Sequence, residues 1–273
     1  MNSGVTDGAQ PFFSIVIPTY NGEATIDHCL ASIIIQEFQC YEVLIIDSFS
    51  KDTTVEKVNS YAEAHKMIKL FSVKSGIYEA MNYGVSVSTG RYLYFMGCDD
   101  VLFSKYVLSD VFAAIQDSGS PHIIYGNVLL GEKTRLYDGS FNLSKLYQWN
   151  ICHQSVFYSK PVFDIVGLYD ESFSVHADWH FNFRCFATKE LTIKYISNLI
   201  AVYATNGFSS SSVDDLDQKR REIFMPIARR AELKEYLRMK IDATKTTGIQ
   251  SKIQYVYYVL LFGAVSVLRR MIK

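Results

Sequence analysis

"SGIYEAMNYGVSVSTGRYLYFMGCDD", Ser75 to Asp100, is the stretch on which the reading of this chain turns. It reads as a loop, a helix over "GIYEAMNYGVSVS" with its stop at Gly90, a buried strand over Arg91 to Met96, and then two adjacent carboxylates, Asp99 and Asp100. In open α/β sheets, ligands bind at the carboxyl ends of the parallel strands. A pair of hard oxygen ligands there suits a divalent cation holding a diphosphate. The stretch thus suggests an enzyme that handles a nucleotide-linked substrate. The competing reading is a helix cap ahead of "VLFSKYV", although without a cation two neighbouring carboxylates repel each other.

Upstream the same alternation holds. "FFSIVIP", Phe12 to Pro18, "YEVLIID", Tyr41 to Asp47, and "IKLFSV", Ile68 to Val73, are continuous apolar runs of the kind buried on both faces of a parallel sheet. Between them Ile26, Leu30, Ile33 and Ile34 keep helical spacing, and Asp52 or Thr53 in "SFSKDTT" can cap a second helix running to about His65. Regular strand and helix alternation implies right-handed crossovers and a parallel sheet. After Asp100 the alternation fades. A helix is expected over Lys105 to Gln116, a strand over His122 to Leu130 turning into a hairpin with "TRLYDG", a strand in "HQSVFYS", a helix in "ADWHFNFRCFA", and two late strands, "LTIKYI" and "LIAVYA". The domains expected are a loose tail over 1–11, an α/β domain over 12–208 and a basic helical appendage over 209–273.

With 49% hydrophobic and 20% charged residues in 273, the chain suits one large folded domain plus an appendage, not a disordered polymer. Nineteen Tyr and eighteen Phe supply core material. The five cysteines are scattered and form no CxxC pair, which argues against a zinc cluster or a disulfide framework and favours a reducing cytosol. "MNSGVTDGAQ" has neither the basic start nor the apolar run of a secretory signal. The absence of GxSxG, P-loop, HExxH and GxGxxG patterns speaks against a serine hydrolase, a P-loop NTPase, a zinc peptidase and a standard NAD enzyme.

The net charge of −1 hides a segregation: from Lys219 onward there are 13 Lys and Arg against 4 Asp and Glu. Such a segment faces an anionic partner or is a solvated helix surface. Its stripe of Ile223, Ile227, Leu233 and Leu237 precedes an uncharged run, Ile253 to Leu268, followed by Arg269, Arg270 and Lys273. As a helix that run reaches about 24 Å, short of the roughly 30 Å hydrocarbon core. A helix lying in the headgroup region fits better than a span, with packing on protein as the alternative.

Several polar residues are candidates for the chemistry. Asp47, ending the second strand, can accept from a base N–H or a ribose hydroxyl, or can start a turn. Thr19, Tyr20 and Asn21 can line a nucleotide pocket, or can be loop chemistry only. Asp178 is either a helix cap or a general base for an acceptor hydroxyl. His153 and Gln154 can position an acceptor or a phosphate.

Together, "SIVIPTYNGEATIDHCLASI", "YEVLIIDSFSKDTT", the Ser75 to Asp100 stretch, "HQSVFYSK" and "ADWHFNFR" resemble family 2 glycosyltransferases with the GT-A fold, in the bacterial branch that builds surface polysaccharides. The likeness covers about residues 13 to 205, and the five blocks stand in the family's order. It implies an inverting transfer from a nucleotide sugar, usually UDP-linked, to a glycan or polyprenyl-linked acceptor. Thr19, Tyr20, Asn21 and Glu23 fall where the family contacts the nucleotide, and Asp47 matches its base-recognising carboxylate. Gly76, Glu79, Ala80 and Asn82 match the segment bordering ribose and diphosphate. Asp99 and Asp100 match the acidic metal motif, although Gly97 and Cys98 precede them in place of a full DxD. Asp100 is then the ligand of a Mn²⁺ or Mg²⁺ ion, with Asp99 assisting the donor. Asp178 matches the catalytic base, and Trp179 beside it walls off the acceptor. The charge asymmetry and the short apolar run suggest a cytoplasmic enzyme held at the inner membrane face, with no nucleic-acid partner and with a homodimer open. A nucleotidyltransferase would carry a Gly- and Arg-rich loop where this chain has "PTYNGE"; a non-catalytic nucleotide-sugar binder would tolerate loss of Asp178. Pocket size in the segment from Asp138 to Asn150 is expected to govern the donor sugar, acceptor and linkage.

Overall fold

A computed structural model describes residues 10–130, 135–137, 139–203 and 215–230. The elements are β1 (Phe13–Thr19), α1 (Ile26–Ile34), β2 (Tyr41–Asp47), α2 (Thr54–Ala64), β3 (Ile68–Ser72), α3 (Ile77–Val87), β4 (Tyr92–Phe95), β5 (Val101–Leu102), α4 (Val107–Asp117), β6 (Ile123–Leu130), β7 (Arg135–Tyr137), α5 (Leu143–Gln148), β8 (Val156–Ser159), α6 (Pro161–Val166), α7 (Ala177–Ala187), β9 (Ile193–Tyr203) and α8 (Asp215–Arg230). A single 3-10 turn, His153–Ser155, precedes β8.

One sheet runs β3-β2-β1-β4-β8-β6-β9-β5, with β7 hydrogen-bonded to β6. The β3-β2-β1-β4 half is wholly parallel, as the apolar runs require. Beyond β4 the sheet is mixed: β8 is antiparallel to β4 and β6, β9 is parallel to β6, and β5 is antiparallel to β9. Both faces are covered. Phe13, Ile15 and Ile17 point toward α1, α2 and α4, while Val16 between them points toward α3 and the cluster that also holds α5 to α8. Period-two alternation thus serves two cores from one strand.

Two expectations are corrected. The two late strands are one, β9, because the polar Ser197–Asn198 pair forms an irregularity in the β6 register and not a turn. Gly126 accommodates it: a Cβ there would lie 2.6 Å from the Asn198 carbonyl oxygen. The third helix ends at Val87, before Gly90. Gly90 instead allows close chain approach, since its Cβ would lie 2.6 Å from the Ser14 backbone nitrogen. The short elements β5, α5 and α6 carry no periodic signal of their own in the sequence.

Of the basic C-terminal segment, α8 is described, and it packs on the main core. Leu216, Phe224, Met225 and Ala228 are buried, with Ile223 and Ile227 against them. The Phe224 ring stacks on Phe183 with centroids 4.0 Å apart. Leu233, Leu237 and the run from Ile253 to Leu268 lie outside the described residues, as does most of the 1–11 tail. Among the described residues no helix is long and apolar enough to cross a membrane.

Candidate active site

The carboxyl ends of β1, β2 and β4 open into a cleft of about 1040 Å³. Its walls hold the β1 loop (Thr19, Tyr20, Asn21), the start of α3 (Gly76 to Met81), the acidic pair, the segment 150–154, and the loop before α7 with Asp178. Residues far apart in sequence therefore share one cavity, at the edge of the parallel strands where the topology favours a ligand.

The acidic pair sits on a tight turn after β4. Asp100 is only 1% exposed, and its Oδ2 accepts from the Gly97 backbone at 2.9 Å and from Gln154 Nε2 at 2.7 Å. Both carboxylates lean over Gly97. A Cβ at that position would lie 2.5 Å from Asp99 Oδ1 and 2.9 Å from Asp100 Oδ2, so glycine creates the notch. The surrounding thiols feel this charge. Burial, then the Asp99 charge, pushes Cys98 up to about 11, and burial followed by Asp100 raises Cys152. Neither is a thiolate near neutrality, which argues against nucleophilic roles.

Asp178, in the first turn of α7, is 6% exposed and held at both oxygens. Tyr78 donates to Oδ1 at 2.8 Å and Asn150 Nδ2 to Oδ2 at 2.7 Å. His153 Nδ1 lies 3.9 Å from Oδ2. Burial with donors on each oxygen gives an oriented carboxylate able to take a proton from a group bound in the cleft.

The other expected residues divide. Thr19, Tyr20, Asn21, Gly76, Glu79, Ala80, Asp99, His153 and Gln154 line the cleft. Some of these also have structural roles. Asn21, with φ +51, accepts from the Lys51 backbone through Oδ1 at 2.8 Å, and Glu79 caps α3 by accepting from the Gly76 N–H at 2.6 Å. Glu23, Asp47, Asn82 and Trp179 are not among the lining residues. Glu23 accepts from the Thr53 backbone at 3.0 Å ahead of α2. Asp47 is buried and accepts from the Ser50 backbone at 3.0 Å. Asn82 grips the loop before α7, donating to Glu171 Oε1 at 2.8 Å and to the Tyr169 carbonyl at 3.0 Å. Trp179 donates to the Leu146 carbonyl and lies under Arg220 of α8, 4.2 Å from ring centroid to guanidinium carbon.

Sequence reasoning missed Tyr78, Asn150, Ser48 and Glu171 as cleft residues. Tyr78 lay inside the quoted stretch and Asn150 just ahead of "CHQS", but neither had a spacing that marked it.

Residue for residue, the described lining carries Glu79, Asp99, Asp100, Glu171 and Asp178 and no Lys or Arg. A diphosphate entering such a cleft would meet carboxylates and no basic side chain among the described lining residues. No three His, Cys, Asp or Glu side chains among the described residues could cage a metal alone. Two carboxylates in a notch nonetheless fit a Mg²⁺-like ion that takes its remaining ligands from phosphate and water.

A family description, "Glycosyl transferase family 2", matches residues 14–161. This chain belongs to that family, and it is a glycosyltransferase with the GT-A fold. It is 35% identical over 216 residues, covering 78% of this chain and 84% of the relative, to a "PGL/p-HBAD biosynthesis glycosyltransferase" of Mycobacterium bovis (strain BCG / Pasteur 1173P2). Among solved structures it resembles S. aureus TarS 1–349 in complex with UDP-GlcNAc, at TM-score 0.70 and 18% identity over 92% of this chain and 80% of that one. It also resembles the mannosyltransferase PcManGT from Pyrobaculum calidifontis in complex with GDP-Man and Mn²⁺, at TM-score 0.60 and 17% identity over 96% and 81%.

Proposed function

We propose that this glycosyltransferase moves a hexosyl or N-acetylhexosaminyl group from a UDP-linked donor to a hydroxyl of a glycan or lipid-linked acceptor in surface-polysaccharide synthesis, with inversion. The observation carrying this reading is that Asp100, after β4, and Asp178, in the first turn of α7, line one cleft. TarS in complex with UDP-GlcNAc supports the donor class, and the mycobacterial relative, named for PGL/p-HBAD biosynthesis, supports a biosynthetic sugar transfer.

In this reading Asp178 takes the proton of the acceptor hydroxyl, and the freed oxygen attacks the anomeric carbon from the face opposite the diphosphate. The bond from that carbon to the diphosphate oxygen breaks, and the nucleoside diphosphate leaves with the electron pair. Tyr78 and Asn150 hold the base, while Thr19, Tyr20 and Asn21 face the nucleotide. A divalent cation, Mn²⁺ or Mg²⁺, bound at Asp100 with Asp99 beside it would neutralise charge on the leaving diphosphate. The basic C-terminal segment would keep the enzyme on the anionic inner face of the membrane.

The test is release of nucleotide from UDP-, GDP- and dTDP-sugars, with and without Mn²⁺, beside an Asp178→Asn control. Turnover should require one donor class and the cation, and the control should lose at least about 100-fold. Undiminished transfer by Asp178→Asn would remove the proposed base. Separately, deletion of residues 249–273 should release the protein from vesicles on sedimentation.

A further inference from the structure

The proposed chemistry needs two carboxylates at a fixed separation, and one five-residue segment touches both. Asn150 Nδ2 donates to Asp178 Oδ2 at 2.7 Å, and Gln154 Nε2 donates to Asp100 Oδ2 at 2.7 Å. Each amide is itself aimed by a donor. Asn182 Nδ2 donates to Asn150 Oδ1 at 3.1 Å, and Tyr158 donates to Asn182 Oδ1 at 2.6 Å. The Cys152 thiol donates to Gln154 Oε1 at 2.8 Å. Both chains run one way, ending with an N–H on a carboxylate. Turning either amide over would set a carbonyl oxygen against a carboxylate oxygen and leave its own donor facing a donor.

The backbone is pinned at both ends as well. Tyr137 donates to the Asn150 carbonyl at 2.6 Å, and Tyr94 donates to the Gln154 carbonyl at 2.8 Å. Between them the Ser155 N–H and hydroxyl both bond the Cys152 carbonyl, at 2.9 and 2.7 Å.

We infer that the segment from Asn150 to Gln154 is a rigid spacer, with Asn150 and Gln154 as positioning residues that fix the base and the diphosphate-side carboxylate relative to each other. This rests on the function proposed above. Asn150 acts on proton removal by fixing the rotamer of Asp178. Gln154 acts on the donor side by fixing the rotamer of Asp100.

The experiment compares Asn150→Ala, Gln154→Ala and Asp178→Asn, with each rate normalised to the fraction of protein that binds saturating UDP. In Asn150→Ala, kcat should fall on the order of 10- to 100-fold. Donor KM should be little changed. In Gln154→Ala, donor KM and the Mn²⁺ requirement should rise about tenfold or more, with kcat at saturating donor and cation little changed. If Asn150→Ala does not bind UDP, Asn150→Ser takes its place. An equal change of the same parameter in both variants, or no change in either while Asp178→Asn is inactive, overturns the spacer alone. Full activity in Asp178→Asn overturns the parent reading.

Discussion

The Tyr78 hydroxyl donates to Asp178 Oδ1 at 2.8 Å across 100 positions of sequence. Tyr78 belongs to the first turn of α3 and Asp178 to the first turn of α7. The same hydroxyl reaches the Val175 carbonyl, so one side chain ties the loop before α7 to α3.

Tyr78→Phe removes that donor and keeps the ring, whose centroid is 5.8 Å from that of Tyr169. A lost hydrogen bond to a charged group should lower kcat by about tenfold or more, while a urea midpoint near the parent's would show the packing intact. Unaltered kcat would remove Tyr78 from the orientation of the base.

Gly97→Ala is expected to abolish transfer without unfolding the protein. The added methyl would fall 2.5 Å from Asp99 Oδ1 and 2.9 Å from Asp100 Oδ2 and must push the carboxylates apart. Gly97 has no left-handed backbone to strain, so the effect is steric and local. Titration of the UDP-sugar with Mn²⁺ by calorimetry should show donor binding weakened; a parent-like isotherm would contradict the notch.

Glu42 gives the fold a pH dependence remote from the cleft. It is nearly buried, and burial pushes its carboxyl up. Donation by Lys69, Ser14 and the Thr89 backbone and hydroxyl outweighs burial and leaves it below its ordinary value of 4.5. A depressed folded pKa means stability that is full above the ordinary value and fades as pH falls toward the folded one. Glu42→Gln should therefore be less stable than the parent near neutrality, with the gap closing in acid. Urea midpoints at the two pH values check this, and a gap that widens in acid would reverse the assigned sign.

Phe224→Ala tests whether α8 belongs to the catalytic unit. The ring is fully buried, stacked on Phe183 and 5.9 Å from Trp179, next to Asp178 on α7. Truncating a buried Phe costs roughly 3–5 kcal/mol, which should show as a lowered urea midpoint and reduced turnover. Neither would change if α8 were a detachable appendage.

The parallel half of the sheet was legible because each strand announces itself. "SIVIP", "VLIID" and "LYFM" are apolar on both faces, and only a sheet covered by helices on both sides can bury such runs. The acidic pair was legible because two carboxylates at a strand end demand an explanation. Asp47 and Asn82 lay in the same motifs, but their side chains satisfy local backbone and a neighbouring loop. A motif fixes where a residue stands along the chain, not which way its side chain turns.

By itself the sequence determined the alternating architecture and the candidates Asp100 and Asp178, since periodicity and residue chemistry are local properties. Only the tertiary structure decided that Ser197–Asn198 interrupts one strand's register, that α8 closes over Trp179, and that Tyr78, Asn150 and Gln154 hold the two carboxylates. Those contacts link positions tens of residues apart, where packing of one face against another, and no pattern along the chain, selects the partner.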